Sequence, residues 1–137
     1  MKGLYNSPMS MTALDLSPEA LKKYRPREAF RHRKAKTRAQ VAKRRRRAYT
    51  VALKAAELLK TKFGAKEVIL FGSLARRGSF TLYSDIDLAE RGIPSDHYLT
   101  AMDTVLYLDK EFRIDLVELD ACLSAMREEI NKEGKPL

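Results

Sequence analysis

The apolar positions of this chain change period several times, and each change predicts an element. Between Arg27 and Lys62 the composition is dominated by Arg, Lys, Ala, Leu and Glu, all good helix formers. The first half of that stretch is basic all round, with Phe30, Val41 and a few alanines as its apolar points. In the second half Ala48, Val51, Ala52, Ala55, Leu58, Leu59 and Phe63 recur at helical spacing, an apolar stripe able to pack on a core. Gly64 supplies the stop. The run Glu67 to Phe71 then reads as a buried strand, followed by a Gly72-Ser73 turn and a short helix from about Leu74 to Arg77.

Beyond Gly78 and Ser79, the segment Ser84–Ala89 reads as a second strand, closed by Gly92 and Pro94. Ser95 begins an amphipathic helix to about Lys110, with Leu99, Met102, Val105 and Leu106 as core positions. Alternation returns between Arg113 and Glu118, placing Ile114 and Leu116 on one face and Asp115 on the other. A final helix is expected from Leu119 to Glu133, with Leu123, Met126 and Ile130 inward and Gly134 as its end. The predicted class is α/β (α+β): a small mixed sheet with helices on one side, preceded by a long basic helix.

The beginning of the chain is less patterned. Residues 1–16 show no usable period and read as a flexible tail in which Met9 and Met11 stand as alternative starts. Ser17-Pro18-Glu19 has the order of a helix start, with Ser17 as N-cap and Pro18 in the first turn. Pro26 breaks that helix near Tyr24. The resulting division is a tail (1–16), a basic helical extension (17–47) and one domain (48–137).

Charge sharpens this division. The formal net charge is +9, but Lys22 to Arg47 holds 14 of the 27 basic residues against a single acid, Glu28. The remainder is mildly acidic, so only the extension offers a footprint for nucleic acid. A solvated helix and an acidic protein partner are equally compatible with it. The aromatic residues nearby, Tyr24, Phe30 and Tyr49, are too sparse for a stacking surface on single strands. The single cysteine, Cys122, cannot form an internal disulfide and reads as core. No apolar run reaches membrane-spanning length. These features lead to the expectation of a cytoplasmic protein without a membrane partner.

The chemistry concentrates in FGSLARRGSFTLYSDIDL, residues 71–88. Asp85 and Asp87 flank Ile86, and on a strand residues two apart share a face. Two adjacent carboxylates repel, so the pair calls for a cation or a shared proton. A hard, oxygen-seeking ion such as Mg²⁺ fits. Gly72 lets backbone approach a phosphate, and Ser73 either grips a phosphate oxygen or caps the short helix. Arg76 and Arg77 are candidate triphosphate partners or simply a solvated face. Asp115, alone on its strand face, is either a third metal ligand or a strand-edge acid. His32 and His97 are isolated, and nothing places Lys110 at the site.

These motifs resemble the nucleotidyltransferase superfamily that includes DNA polymerase beta and the aminoglycoside nucleotidyltransferases. Within it, they look most like the small stand-alone minimal nucleotidyltransferases. The resemblance covers roughly Ala48 to the C-terminus. It implies that Gly72 and Ser73 contact nucleotide phosphates and that Asp85, Asp87 and Asp115 bind two Mg²⁺ ions and carry the catalysis. It further implies NMP transfer, with ATP as the expected donor, to an acceptor hydroxyl. Many relatives of this size act as antitoxins beside a HEPN-type toxin, which implies a protein adenylyltransferase (AMPylation) activity on such a partner. A non-catalytic module that masks its partner, and an RNA- or tRNA-directed enzyme tethered by Lys22–Arg47, are the alternatives. One departure stands out: eleven residues separate Ser73 from Asp85, where ten are usual.

Overall fold

The structure is a computed structural model that describes residues 17–19 and 26–137. The expected tail and the expected break near Tyr24 lie outside the described residues. Pro18 and Glu19 are helical, directly after Ser17. The chain divides into two units, residues 1–37 and 38–137. In the first, the described residues are 17–19 and the start of helix α1, Pro26–Phe63, with Arg31 to Thr37 exposed. The remainder of α1, from Arg38, belongs to the second unit.

The second unit is built on a four-stranded mixed sheet of order β3-β2-β1-β4. Strand β1, Glu67–Phe71, pairs antiparallel with β2, Ile86–Arg91. Strand β2 pairs parallel with β3, Ile114–Glu118. A parallel neighbour needs a crossover, and helix α2, Ser95–Leu106, supplies it. After helix α3, Ser124–Glu133, the short strand β4, Lys135–Pro136, returns antiparallel to β1.

Alternation along the strands divides the core in two. Val68, Leu70, Ile86, Leu88, Ile114 and Leu116 form one cluster with the α1 stripe and with Ala101 and Val105 of α2. Ile69, Phe71 and Ala89 face the other way and pack with Leu119 and with Ile130 of α3. The α1 stripe takes the predicted place: Ala48, Ala52, Ala55 and Leu59 are fully buried. At its end the Ala65 N–H returns to the Leu59 carbonyl, 3.0 Å away.

Several sequence expectations are corrected. The short helix after β1 is a single 3₁₀ turn, Gly72–Leu74, too short to continue before Gly78. The second strand begins two residues later than predicted and runs to Arg91. Helix α2 stops at Leu106 rather than near Lys110. There the Asp109 carboxylate accepts the Glu111 and Phe112 N–H groups at 2.8 and 3.2 Å and turns the chain into β3. Leu99 is 69% exposed and not core. Ala101 and Val105 hold the inner face, with Tyr98 and Met102 beside them.

The last helix starts at Ser124 rather than Leu119. Residues 119–123 form a turn in which the Ala121 and Cys122 N–H groups donate to the Glu118 carbonyl. Leu123 and Met126 are therefore exposed, and Ile130 alone of the expected three is buried. This helix also covers the face opposite α1 and α2, so the one-sided arrangement describes only the two longer helices. Strand β4 has no pattern in the sequence that announces it.

Candidate active site

The acids gather on the α3 side of the sheet. Asp87 and Asp115 are direct partners in the β2–β3 register, and Phe71 of β1 stands opposite Asp87 on its other flank. The alternation that sends Ile86 and Ile114 into the core turns both carboxylates outward together. Asp85 sits just before β2 and is exposed. It is close enough to Asp87 to act on its charge.

Gly72 sits against Asp87. Its backbone has φ +74, and a Cβ there would run into the Asp87 carboxylate. Glycine is required twice over, for the left-handed conformation and for the approach. The turn that follows closes by Ala75 and Arg76 N–H bonds to the Gly72 carbonyl, 3.1 and 3.2 Å. Ser73, half-buried, is its middle residue.

The half-buried Asp87 carboxyl is pushed up to about 6 from an ordinary 3.8. Burial is the main cause, followed by the like charges of Asp115, Asp85 and Glu129, while Arg76 acts the other way. A carboxylate crowded by three others is short of positive charge. That is the electrostatic condition for a bound cation, and the donor set is entirely carboxylate, the chemistry hard divalent ions prefer. Among the described residues, however, no three acidic, histidine or cysteine side chains close into a ligating cluster. Arg113 Nε donates to Asp115 Oδ1 at 3.0 Å and holds that carboxylate.

Arg76 ion-pairs with Glu129 and Glu133 of α3, at 3.8 and 3.7 Å, and its charge acts on Asp87. Arg77 is exposed. The sequence reading missed Glu129, which acts directly on Asp87. Its only signal is the i, i+4 pair with Glu133 on a helix whose single buried residue is Ile130. Cys122 is half-buried, with its thiol against the Leu119 carbonyl, as a core role requires.

The basic run is engaged in the fold. Arg44 Nη1 donates to the Ser84 carbonyl at 3.3 Å and Arg45 Nη2 to that of Leu74 at 3.2 Å. Arg47 forms a bidentate pair with Glu111, 2.6 Å at its shortest. Arg45 and Arg46 also line a cavity of about 610 Å³ with Tyr49, Thr50 and Lys135.

Comparison with known families agrees with this geometry. The profile of the family described as Polymerase beta, Nucleotidyltransferase matches residues 54–137. The chain belongs to this nucleotidyltransferase family. No curated protein matches the sequence. Among solved structures, a mutant of an MntA toxin–antitoxin complex is 24% identical with a TM-score of 0.50, covering 61% of this chain and 68% of that one. A toxin–antitoxin structure with AMP-PNP is 21% identical with a TM-score of 0.52, covering 62% and 70%. These likenesses establish a shared nucleotidyltransferase fold. Among the described residues no helix is long and apolar enough to cross a membrane.

Proposed function

We propose that this nucleotidyltransferase-family chain is a Mg²⁺-dependent enzyme that transfers AMP from ATP to a hydroxyl on a partner protein, a HEPN-type toxin, and so acts as its antitoxin. The observation that carries the transfer chemistry is the side-by-side register of Asp87 and Asp115 over the Gly72 turn. Asp85, Asp87 and Asp115 would hold two metal ions, which supply charge neutralisation at the attacking and leaving oxygens. Gly72 and Ser73 receive the triphosphate through the turn's backbone and hydroxyl. Arg76, whose charge already acts on Asp87, is the first candidate to meet a phosphate, and Arg77 the second.

In the reaction the acceptor oxygen attacks the α-phosphorus, the bond to the β,γ-phosphates breaks, and pyrophosphate leaves. The hydroxyl proton passes to a carboxylate on the attacking side, for which Asp115 is the candidate. The toxin–antitoxin and AMP-PNP descriptions of two structural neighbours support the partner and the adenine nucleotide. Engagement of Arg44, Arg45 and Arg47 within the fold argues against Lys22–Arg47 serving mainly as an RNA tether.

The test is label transfer from α-³²P-ATP with Mg²⁺, in the presence and absence of a HEPN-type protein. Labelled partner with the wild-type chain and none with Asp85→Asn/Asp87→Asn is the expected result. Label that survives the double substitution overturns the assignment of the acids. A partner neutralised without any label favours masking over catalysis.

A further inference from the structure

We infer that Arg44 and Arg45 are positioning residues of the transfer site, adjacent arginines of α1 that hold the two ends of the loop between Ser73 and Asp85. The inference rests on the proposed transfer reading for its functional consequence, but its structural content is independent of it.

That loop carries the two halves of the site at its ends. Leu74 directly follows Ser73, and Ser84 directly precedes Asp85. Arg45 donates to the Leu74 carbonyl and Arg44 to the Ser84 carbonyl, at 3.2 and 3.3 Å. Consecutive residues on a helix point about a quarter-turn apart, so one rigid backbone spans the loop and fixes the distance between its ends. Both arginines are half-buried in a run whose neighbours Lys43 and Arg46 are exposed.

Arg44 does more than donate to a carbonyl. Its guanidinium lies 4.4 Å from the centre of the Phe112 ring and 5.5 Å from that of Phe80. Both rings are buried. Phe80 is the loop's own anchor, and Phe112 leads into the strand that carries Asp115. A cation held between two desolvated aromatic faces is a fixed point rather than a solvated charge. The Ile86 N–H adds a bond to the Arg113 carbonyl, 3.0 Å, and ties the same two segments on their far side. The second half of the loop is stiffened internally, with Thr81 N–H donating to Ser84 Oγ at 2.8 Å. Displacing Ser84 would therefore move a rigid turn, and Asp85 with it.

The eleven-residue spacer is then accommodated without loss of geometry, because its ends are set by α1 and not by its length. The basic run acquires a role that its charge alone does not suggest. Were these arginines merely to fasten α1 to the domain, every readout of the site would stay put once the protein is folded.

The experiment compares Arg44→Gln, Arg44→Lys, Arg45→Gln and Arg45→Lys with Lys43→Ala, and runs Asp87→Asn in parallel. Backbone hydrogen exchange of residues 72–85 and affinity for Mg²⁺-AMP-PNP are measured beside label transfer. The glutamine variants are expected to speed exchange in the loop and to weaken nucleotide binding on the order of tenfold. Arg44→Lys, which keeps a cation over the rings, is expected to recover part of the loss, and Lys43→Ala to change nothing. Folding of each variant is read from its thermal midpoint, and the lysine variants keep the test open if glutamine unfolds the chain. Unchanged loop exchange and nucleotide affinity in folded Arg44 and Arg45 variants overturns the inference. So does an equal effect from Lys43→Ala, which would point to bulk charge. If the wild-type chain transfers no label, the transfer reading falls while loop exchange still decides the clamp.

Discussion

Two carboxyl groups of strand β2 are held above the ordinary range, chiefly by burial in both cases, but their surroundings differ. Asp87 is raised by burial together with the charges of Asp115, Asp85 and Glu129. Glu90, three residues on and facing the opposite core, is raised chiefly by burial, with smaller pushes from Glu118 and Asp120. It is 1% exposed. Its Oε2 accepts the Ile93 N–H at 3.1 Å, and Oε1 has no partner among the described residues. Crowding by other acids is relieved by a cation from outside. The Ile93 N–H bond to Glu90 acts against its burial and partly offsets it. Asp87 stands on the face where Asp115 is its register partner, whereas Glu90 is enclosed in the opposite core with one backbone partner.

The largest expected separation between the two comes from amide substitutions. Asp87→Asn should reduce label transfer by roughly a thousandfold or more, without lowering the thermal midpoint of the metal-free protein, since it removes a crowded charge. Glu90→Gln should leave transfer unchanged. Loss of transfer in both, or in neither, breaks the comparison.

Gly72→Ala comes next. The added methyl meets Asp87 and the backbone is left-handed, so a cost of about 1–2 kcal/mol in a urea titration is expected, with transfer falling by roughly tenfold to a hundredfold. A variant as active and stable as wild type would show that Gly72 and Asp87 do not need their close approach.

Glu90 predicts a pH effect of definite sign. Its carboxyl in the fold lies above the ordinary 4.5, so the folded state binds more protons than the unfolded one in the interval above 4.5. This contribution favours folding below that interval and is lost as pH rises through the folded value. Glu90→Gln should remove the slope and raise stability at pH 8 by about 1 kcal/mol. Denaturant midpoints at pH 5 and pH 8 measure both.

The smallest effects test the ranking of charges around Asp87. Its pKa, followed by carboxyl carbon NMR in the metal-free protein, should fall most with Asp115→Asn, less with Asp85→Asn and least with Glu129→Gln. Arg76→Gln should move it upward. A different order would reassign the local field.

The placing of Asp87 and Asp115 was legible in the sequence through alternation, because Ile86, Ile114 and Leu116 must face the core and so fix where those two acids point, whereas Asp85 lies before the strand. The α1 stripe was readable for the same reason. The sequence was silent where contacts are long-range. Nothing in Lys43 to Arg47 distinguishes Arg44, lying over Phe112, from its exposed neighbour Lys43. Leu99 and Leu123 misled because helical spacing fits several faces, and the face actually buried was chosen by Ala101, Val105 and Ile130. Strand β4 was invisible because two residues, one of them proline, carry no period. Its pairing with β1 is decided by where α3 ends.

The parallel register of β2 and β3 has a consequence for damage. A one-residue slip of β3 would carry Asp115 into the core and Ile114 onto the acid face. The apolar residues that stabilise this sheet are thus also its alignment marks. A variant that loosens Ile114 or Leu116 need not unfold the protein to silence it. It would suffice that the two acids stop meeting, and such a chain would pass every test of foldedness while failing the one of chemistry.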